Sequence, residues 1–348
     1  MNQNYLTIAL DVMGGDQGPL VSIPSAIMAI KHQSNLHLIL CGDEKIITTE
    51  LARHGITSDQ LFKHQQLSIY PTTQVVAMDE KPAFAMRTKK DSSMRKSLDL
   101  VHECKAQACV SAGNTGALFS MAHFVLKNLP GVERPALISS LPTNIKDKHV
   151  FMLDLGANVF CDSHVLYQFG VMGSVMSSQV DGIDKPRIAL LNMGEETIKG
   201  SDHIKLAALE LSENKSINYI GFIEGSDIFS NKADVIVCDG FVGNVALKTC
   251  EGVARMVYNQ SKSAFNTSLL MRLFGFLFKS SFKKLFKTMN PDQYNGASLI
   301  GLRGIVVKSH GNANSSAFFS AILEAVKEVE RQVPEKIKAT LEQDLSTN

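Results

Sequence analysis

The sequence predicts a single α/β domain built on a doubly wound, largely parallel β-sheet. Short apolar runs recur along the chain and are separated mostly by segments with helical periodicity, an alternation typical of that class. The chain has 348 residues, 45% of them hydrophobic, and can bury a full core. It contains no internal repeat, low-complexity tract or long linker. We therefore interpret residues 1–348 as one domain with a helical excursion at about residues 251–294.

The predicted strands are short apolar runs, each followed by a turn. They include residues 5–12, 36–41, 108–110, 136–141, 150–153, 187–191, 218–222, 234–238 and 304–307. Helical segments between such runs place helices on both faces of a sheet.

The balance of charges argues against a nucleic-acid partner. Lys and Arg number 35 and Asp and Glu 34, so any charged partner must meet a local patch. The six cysteines contain no CxxC pair and no histidine has zinc-ligand spacing. We therefore expect neither a metal site nor a disulfide framework, and interpret the cysteines as core residues of a reducing compartment.

Neither a signal peptide nor a membrane-spanning helix is expected. Residues 1–11 lack a basic start followed by a long apolar run. The longest uncharged stretches, residues 106–126 and 163–180, are too polar to span a bilayer. We expect a cytoplasmic protein that at most lies on a membrane surface.

Turns rich in Gly, Asn and Asp follow six of the predicted strands. Each turn alone is more often an ordinary connection between a strand and a helix. However, the carboxyl ends of parallel strands share one edge of a sheet, where ligands bind. Six such turns therefore predict one polar rim. None matches the glycine pattern of a dinucleotide site or a P-loop, so no cofactor is expected. The turns are residues 11–16, 111–116, 154–158, 192–196, 239–244 and 310–312.

Three of the polar segments lead straight into predicted helices, whose free amides and positive dipole ends favour phosphate. Asn114 or Thr115 begins one helix and Asn244 another, while Lys199 lies just before a third. The Asn residues are equally well explained as ordinary N-caps. The cation at Lys199 favours an anion site at the third helix.

Two basic segments are candidates for contact with anionic partners. Residues 86–94 carry Arg87, Lys89 and Lys90, which are either a solvated charge run or a site for phosphate or an acidic carrier. Residues 252–291 contain seven cations and no acid. A helix there would separate an apolar face from a basic one, which suits an anionic membrane surface and equally a second subunit. The contact residues predicted there are Phe274, Phe278, Lys279, Phe282, Lys283 and Lys284.

Taken in order, these segments resemble the PlsX family of bacterial phosphate acyltransferases. The matching strings include IALDVMGGD at 8–16, VSAGNTGAL at 110–118, LDLGANV at 153–159, LLNMGEE at 190–196 and VCDGFVGNVALKT at 237–249. Shorter matches lie at residues 89–94, 133–137, 199–200 and 310–311. Together they span nearly the whole chain, and only residues 252–291 lack a fixed string.

The resemblance implies a three-layer α/β/α sandwich like that of isocitrate and isopropylmalate dehydrogenases and of phosphotransacetylase, assembled as a homodimer through long helices. It implies that inorganic phosphate cleaves an acyl-(acyl carrier protein) thioester to give an acyl phosphate. The product would pass to a membrane-bound acyltransferase that acylates glycerol 3-phosphate in phospholipid synthesis.

Lys199 and Asn244 are the predicted catalytic residues. Phosphate near neutrality is largely dianionic and a thiol leaves readily, so the reaction needs fixed hydrogen-bond donors more than a strong base. We expect Lys199 to bind phosphate and the oxyanion, and Asn244 to donate to the same oxygen. The aspartates are expected to orient turns, and His310 to be a scaffold residue. The predicted binding set is Asp11, Gly14, Gly15, Lys89, Lys90, Ser111, Gly113, Asn114, Thr115, Asp154, Asn158, Gly243 and His310.

Two other interpretations remain open. One keeps the fold and changes the substrate, which would make the protein a short-chain phosphotransacetylase acting on coenzyme A. A decarboxylating dehydrogenase of the same fold is disfavoured, because the dinucleotide and metal-binding patterns are missing. The other takes the basic amphipathic segment as the main feature and makes the protein a peripheral membrane scaffold. Chain-length preference in phosphorolysis and vesicle binding without turnover distinguish them.

Overall fold

The computed structural model describes residues 5–57, 66–264 and 296–347. These residues form an eleven-stranded sheet with ten α-helices. The strands are β1 (Leu6–Asp11), β2 (Leu36–Gly42), β3 (Leu67–Pro71), β4 (Ala108–Ser111), β5 (Ala136–Pro142), β6 (His149–Leu153), β7 (Arg187–Leu191), β8 (Asn218–Ile223), β9 (Val235–Val237), β10 (Ala297–Ile300) and β11 (Ile305–Lys308). The helices are α1 (Pro19–His32), α2 (Glu44–Arg53), α3 (Pro82–Thr88), α4 (Ser93–His102), α5 (Thr115–Leu126), α6 (Ser163–Asp181), α7 (Asp202–Glu213), α8 (Gly240–Ala264), α9 (Ser315–Arg331) and α10 (Val333–Thr347).

The sheet contains two parallel sets of strands that run in opposite directions. Its order is β3-β2-β1-β4-β11-β10-β5-β6-β9-β7-β8. The first parallel set is β3, β2, β1, β4 and β11, and the second is β6, β9, β7 and β8. Between them, β10 is antiparallel to both β11 and β5, and β5 is antiparallel to β6. These three antiparallel pairings reverse the direction of the second set.

The reversal shows that the prediction of one polar rim is wrong. The carboxyl ends of β1, β4 and β11 lie at one edge of the sheet, and those of β6, β7 and β9 at the opposite edge. Residues 143–148 between β5 and β6 are too few for the crossover that parallel neighbours require. The glycine-rich turns therefore form two groups, one at each edge.

Helices cover both faces of the sheet, which confirms the predicted α/β/α sandwich. We call the face covered by α3, α4, α5 and α8 the front face, and its core includes Met94 of α4 and Leu118 of α5. On the back face, α1, α2 and α9 pack on the first parallel set, and α6, α7 and α10 on the second. Because side chains alternate along a strand, Val306 of β11 points to the front core and Val307 to the back.

The predicted helical excursion is described only as far as the end of α8 at Ala264. No helix in the described ranges is long and apolar enough to cross a membrane. The residues predicted to contact a membrane or partner lie outside those ranges: Phe274, Phe278, Lys279, Phe282, Lys283 and Lys284.

Candidate active site

Three polar side chains stand in a row at the carboxyl ends of adjacent strands of the first parallel set. The register pairs Ser111 of β4 with Asp11 of β1 on one side and with Lys308 of β11 on the other. All three are buried, with exposed fractions of 0% for Ser111, 1% for Asp11 and 7% for Lys308. Lys308 lies two residues after Val306 and so faces the front. We call Asp11, Ser111 and Lys308 the polar row.

At one end of the polar row, the two oxygens of Asp11 have different surroundings. Oδ2 accepts a 2.6 Å hydrogen bond from the Ser111 hydroxyl, which itself accepts a 3.0 Å bond from the Gly113 amide. Oδ1 is buried and has no hydrogen-bond partner among the described residues. Burial raises the pKa of Asp11, and interactions with Ser111, Ser93, Lys308 and the Gly14 backbone oppose that shift. This carboxyl group is incompletely satisfied, which is uncommon in a protein interior.

At the other end of the row, Lys308 supplies a buried cation. Its ammonium group donates to the carbonyl oxygens of Ala112 and Ser309. Burial lowers the pKa of Lys308 to about 8, while Asp11 opposes that shift and Lys248 adds to it. Near neutral pH the side chain therefore remains largely protonated.

The turn after β1 packs so closely on the polar row that it requires glycine. A Cβ atom on Gly14 would lie 2.4 Å from Asp11 Oδ2 and 2.9 Å from a neighbouring backbone nitrogen. Gly15 has a φ of +89°, which L side chains rarely adopt. The Asp16 amide donates to the Gly311 carbonyl at 2.8 Å and ties this turn to the one after β11.

The side chain of Asn114 is occupied by structural contacts. Its Oδ1 caps α5 by accepting a 3.0 Å hydrogen bond from the Ala117 amide. Its Nδ2 donates to the carbonyl oxygens of Met78 at 2.8 Å and Glu80 at 3.0 Å. Asn114 therefore fastens the segment before α3 to the start of α5. Thr115, the next residue, lines the cavity described below.

At the opposite edge of the sheet, Asp154 is fully buried and fully hydrogen-bonded. Its Oδ1 accepts from the amides of Leu137, Gly156 and Ala157 at 2.9, 3.2 and 3.0 Å. Its Oδ2 accepts from the Asn158 amide at 2.7 Å and from the Asn158 side chain at 2.9 Å. Burial raises the pKa of Asp154, and the backbone hydrogen bonds oppose that shift. Asp154 and Asn158 together hold the turn after β6 in one conformation.

The turn after β6 also positions the start of α8. Asp239 Oδ1 accepts a 2.8 Å bond from a backbone amide in the first turn of the helix. A Cβ atom on Gly243 would lie 1.9 Å from the Asp154 carbonyl oxygen, so only glycine fits there. Gly156 has a φ of +127° and packs against the side chain of Asn244. The contacts fix Asn244 at the wall of the cavity.

A cavity of about 610 Å³ lies on the front face between α5, α8 and the central strands. Its wall along β5 runs from Leu137 to Pro142 and reaches from near one sheet edge towards the other. It brings residues from both groups of turns together. The polar lining includes Thr115, Ser139, Asn244, Lys248, Glu251, Lys308, Ser309 and His310. The apolar lining includes Leu137, Leu141, Leu155, Phe229, Leu247, Ala254 and Val257.

Helix α8 separates these two kinds of lining. Asn244, Lys248 and Glu251 follow at spacings of four and three residues and share one side of the helix. Glu251 contacts Lys248 Nζ at 2.9 Å and lies 3.8 Å from His310 Nε2. The polar side of α8 therefore faces the chain after β11. Leu247 and Ala254 face the apolar part of the cavity.

Lys248, Glu251 and Lys308 are charged lining residues that were not predicted from the sequence. Lys308 could have been found from the sequence, because it continues the alternation of β11 and lies two residues before the turn at His310. Lys248 and Glu251 could have been found from their helical spacing, because they lie four and seven residues after Asn244.

The three lysines predicted from sequence do not line the cavity, and two of them, Lys199 and Lys89, have a carboxylate partner. Lys199 Nζ is 3.0 Å from Glu196, its side chain is 46% exposed, and it does not line the cavity. Lys89 Nζ is 3.7 Å from Glu80, and Lys90 is exposed. Lys199 follows β7, which neighbours β9, so its loop lies at the same edge as the start of α8.

Comparison with known proteins shows the family and the fold. Residues 6–336 match the family described as fatty acid synthesis protein. The phosphate acyltransferase of Colwellia psychrerythraea is 83% identical over 337 residues, which cover 97% of each chain. That of Shewanella woodyi is 50% identical over 337 residues, again covering 97% of each chain.

Two solved structures share the fold at low sequence identity. A phosphotransacetylase from Streptococcus pyogenes has a TM-score of 0.62 and 15% identity, covering 95% of this chain and 94% of its own. A branched-chain phosphotransacylase from Enterococcus faecalis has a TM-score of 0.57 and 15% identity, covering 92% of this chain and 99% of its own.

Proposed function

The chain belongs to the fatty acid synthesis protein family and is an acyltransferase, and from that premise we propose that it transfers a long-chain acyl group from acyl-(acyl carrier protein) to inorganic phosphate. A phosphate oxygen attacks the thioester carbonyl carbon, the carbon–sulfur bond breaks, and the carrier leaves as a thiolate that takes up a proton from water. The product is an acyl phosphate. In this proposal the enzyme lies in the cytoplasm and contacts a membrane surface.

The cavity on the front face is the observation that carries this proposal. Its volume of about 610 Å³ falls within the usual range for pockets that enclose small organic ligands. One part of its lining is apolar, which suits a fatty acyl chain. The other part offers an amide, hydroxyls and ammonium groups, which suit a phosphate and a developing oxyanion.

Asn244 is proposed to donate a hydrogen bond to the oxyanion. Its side chain is exposed at the cavity in the second turn of α8, and the close contacts at Gly156 and Gly243 limit where it can lie. A fixed donor costs little reorganisation when negative charge develops on the carbonyl oxygen. The chemistry needs no strong base, because phosphate is already an anion near neutral pH.

Lys199 is proposed to reach the reacting groups after it leaves Glu196. Both side chains of that ion pair are about half exposed. Such exposed pairs contribute little to stability, so breaking this one is not a large barrier. The oxyanion that develops at the thioester carbonyl would offer the lysine an alternative anionic partner.

The proposed partners follow from the family and from the charges. An acidic acyl carrier protein would dock through the exposed cations Arg87 and Lys90 and through Lys89. We propose that the enzyme is a homodimer and that its acyl phosphate is consumed by a membrane-bound acyltransferase that acylates glycerol 3-phosphate.

The proposal is tested by incubating the purified protein with palmitoyl-(acyl carrier protein), with and without inorganic phosphate. Thioester should disappear, and acyl phosphate appear, only when phosphate is present. Asn244→Ala should lower turnover by about 100- to 1000-fold, as expected for loss of one oxyanion donor. Asn35→Ala, at an exposed position between α1 and β2 that does not line the cavity, is the matched control and should leave turnover unchanged.

Three results would contradict the proposal. Absence of phosphate-dependent thioester loss in the native protein would exclude it. A preference for acetyl-coenzyme A would favour a short-chain phosphotransacetylase. Binding to anionic vesicles without any turnover would favour a membrane scaffold.

A further inference from the structure

Lys308 differs from the other cations of the described ranges in its burial. Only 7% of it is exposed, and no other lysine or arginine in these ranges is buried to that degree. It nevertheless lines the cavity. A buried charge is costly unless it has partners, so its surroundings should reveal what the charge is for.

The partners of Lys308 do not neutralise it. Its ammonium group donates to two backbone carbonyls, those of Ala112 and Ser309. An ammonium group has three donors, so capacity for another acceptor remains. Among the described residues, no carboxylate oxygen lies within 4.0 Å of the Lys308 Nζ atom. An anion in the cavity would provide the missing partner.

Three of the other candidate cations have a carboxylate within ion-pair distance. Lys199 contacts Glu196, Lys248 contacts Glu251 and Lys89 contacts Glu80. Each of those carboxylates would compete with a bound phosphate and repel it. Lys308 carries no such competitor within ion-pair distance.

Lys308 also lies where an anion would meet further donors. Thr115, in the first turn of α5, lines the same cavity, and the first amides of a helix carry a partial positive charge. Asn244 lines it from α8. A phosphate beside Lys308 would therefore lie in the space that the acyl thioester also enters.

We propose that Lys308 is the residue that binds the inorganic phosphate in this cavity, a role that the sequence analysis gave to Lys199, Lys89 and Lys90. That the bound anion is a substrate rests on the proposed function. That it binds at Lys308 rests on the geometry of the polar row. Ser111 is paired with Lys308 in the strand register, and Asp11 is paired with Ser111. The carboxylate of Asp11 therefore acts on the Lys308 charge from a longer range.

The charge state of Lys308 suits this role. Its pKa, lowered by burial to about 8, leaves it mostly protonated near neutral pH. The charged groups that act on it are Asp11 after β1, Asp16 in the following turn and Lys248 of α8. A bound phosphate would raise this pKa again, because it favours the ammonium form.

The decisive experiment measures phosphate binding and phosphate kinetics separately. Titration calorimetry with inorganic phosphate alone, without acyl donor, should show binding to the native protein and to Lys31→Met, an exposed lysine of α1 on the back face. Lys308→Met should bind phosphate about 10- to 100-fold more weakly. Its KM for phosphate should rise by the same factor while its KM for palmitoyl-(acyl carrier protein) stays within about twofold.

Other outcomes separate the two proposals. Unchanged phosphate affinity in Lys308→Met overturns the role of Lys308, whether or not the enzyme turns over. Phosphate binding that depends on Lys308, without phosphate-dependent thioester loss, supports this site and rejects the proposed function. An equal rise in both KM values indicates a structural role and overturns the inference.

A second measurement uses only the native protein and serves if Lys308→Met fails to fold. An amine-directed acylating reagent, followed by peptide mass mapping, should modify Lys308 slowly, and more slowly still with saturating phosphate. Lys31 should react equally in both samples. Equal modification of Lys308 with and without phosphate contradicts the proposal.

Discussion

Asp11 and Asp154 occupy corresponding places in the two halves of the molecule and differ in how they are satisfied. Asp11 ends β1 of the first parallel set, and Asp154 follows β6 of the second. Both are buried, with exposed fractions of 1% and 0%, and burial raises the pKa of both. Asp154 accepts five hydrogen bonds, whereas Asp11 Oδ1 accepts none from the described residues.

The difference separates a structural carboxylate from one beside a binding site. The five donors to Asp154 all belong to the protein, so the group is complete without a ligand. Asp11 belongs to a row whose other end, Lys308, also lacks a neutralising partner in contact. Buried polar groups are normally satisfied, so the unsatisfied row marks the place where another molecule is expected.

The largest expected effect comes from breaking the complete group. Asp154→Asn would turn an NH₂ group towards the two donors of Asn158, or towards the backbone amides at the other oxygen. Leaving such buried donors unsatisfied should lower the free energy of unfolding by about 3 to 5 kcal/mol. Asp11→Asn, the matched variant, should cost less than about 1 kcal/mol because Ser111 keeps an acceptor. Urea denaturation of both variants checks this, and equal losses would erase the distinction.

Removing the buried cation should have the next largest effect, in the opposite direction. The pKa of Lys308 falls from 10.5 to about 8 on folding. The unfolded chain therefore binds the proton more tightly, and this cost is fully present below pH 8 and disappears above about 10.5. Lys308→Met should raise the free energy of unfolding by about 3 kcal/mol near neutral pH. The gain should shrink between pH 8 and 10.5, which thermal unfolding across that range can follow.

A stabilised Lys308→Met that binds phosphate poorly would mean that stability is sacrificed for function at this position. Lys31→Met is the control, because an exposed lysine should show neither effect. A loss of stability in Lys308→Met at neutral pH would contradict the expected sign.

The smallest expected effect tests how closely α8 packs on the Asp154 turn. A Cβ atom on Gly243 would lie 1.9 Å from the Asp154 carbonyl, and backbone cannot move aside cheaply. Gly243→Ala should therefore lower the free energy of unfolding by about 1 to 3 kcal/mol. Gly252→Ala in the same helix meets no atom within 4 Å and should stabilise by about 0.5 to 1 kcal/mol. Denaturant midpoints that move in the same direction in both variants would refute the packing argument.

The strands were largely predictable because their apolar runs are local signals. The prediction of residues 187–191 matches β7, and that of residues 36–41 matches β2 to within one residue. Strands β3 and β10 were missed; each contains a serine that interrupts its apolar run. The missed β10 was costly, because its antiparallel pairing sets the direction of half the sheet.

The candidate site was predictable only in part. The sequence placed Asp11 and Asp154 in equivalent turns and could not show that one is saturated and the other is not. The sequence indicated that Asn114 caps a helix, but it could not show that its amide group also donates to two carbonyls, because those partners are 34 and 36 residues away. Long-range contacts decide which polar residue is free to bind a ligand. For Lys308 the alternation of β11 was a local signal for the face it occupies, but its burial depends on β4 and β10 on either side.

The insertion of β10 between β11 and β5 has a consequence for how the chain acquires its structure. Strands β4 and β5 are complete in sequence by residue 142, but the segments that join them, residues 297–308, come more than 150 residues later. During synthesis both strands therefore keep an unpaired hydrogen-bonding edge until those residues have been made. Unpaired strand edges are prone to aggregation. Nascent chains of this protein should accordingly depend on chaperones until the last strands emerge.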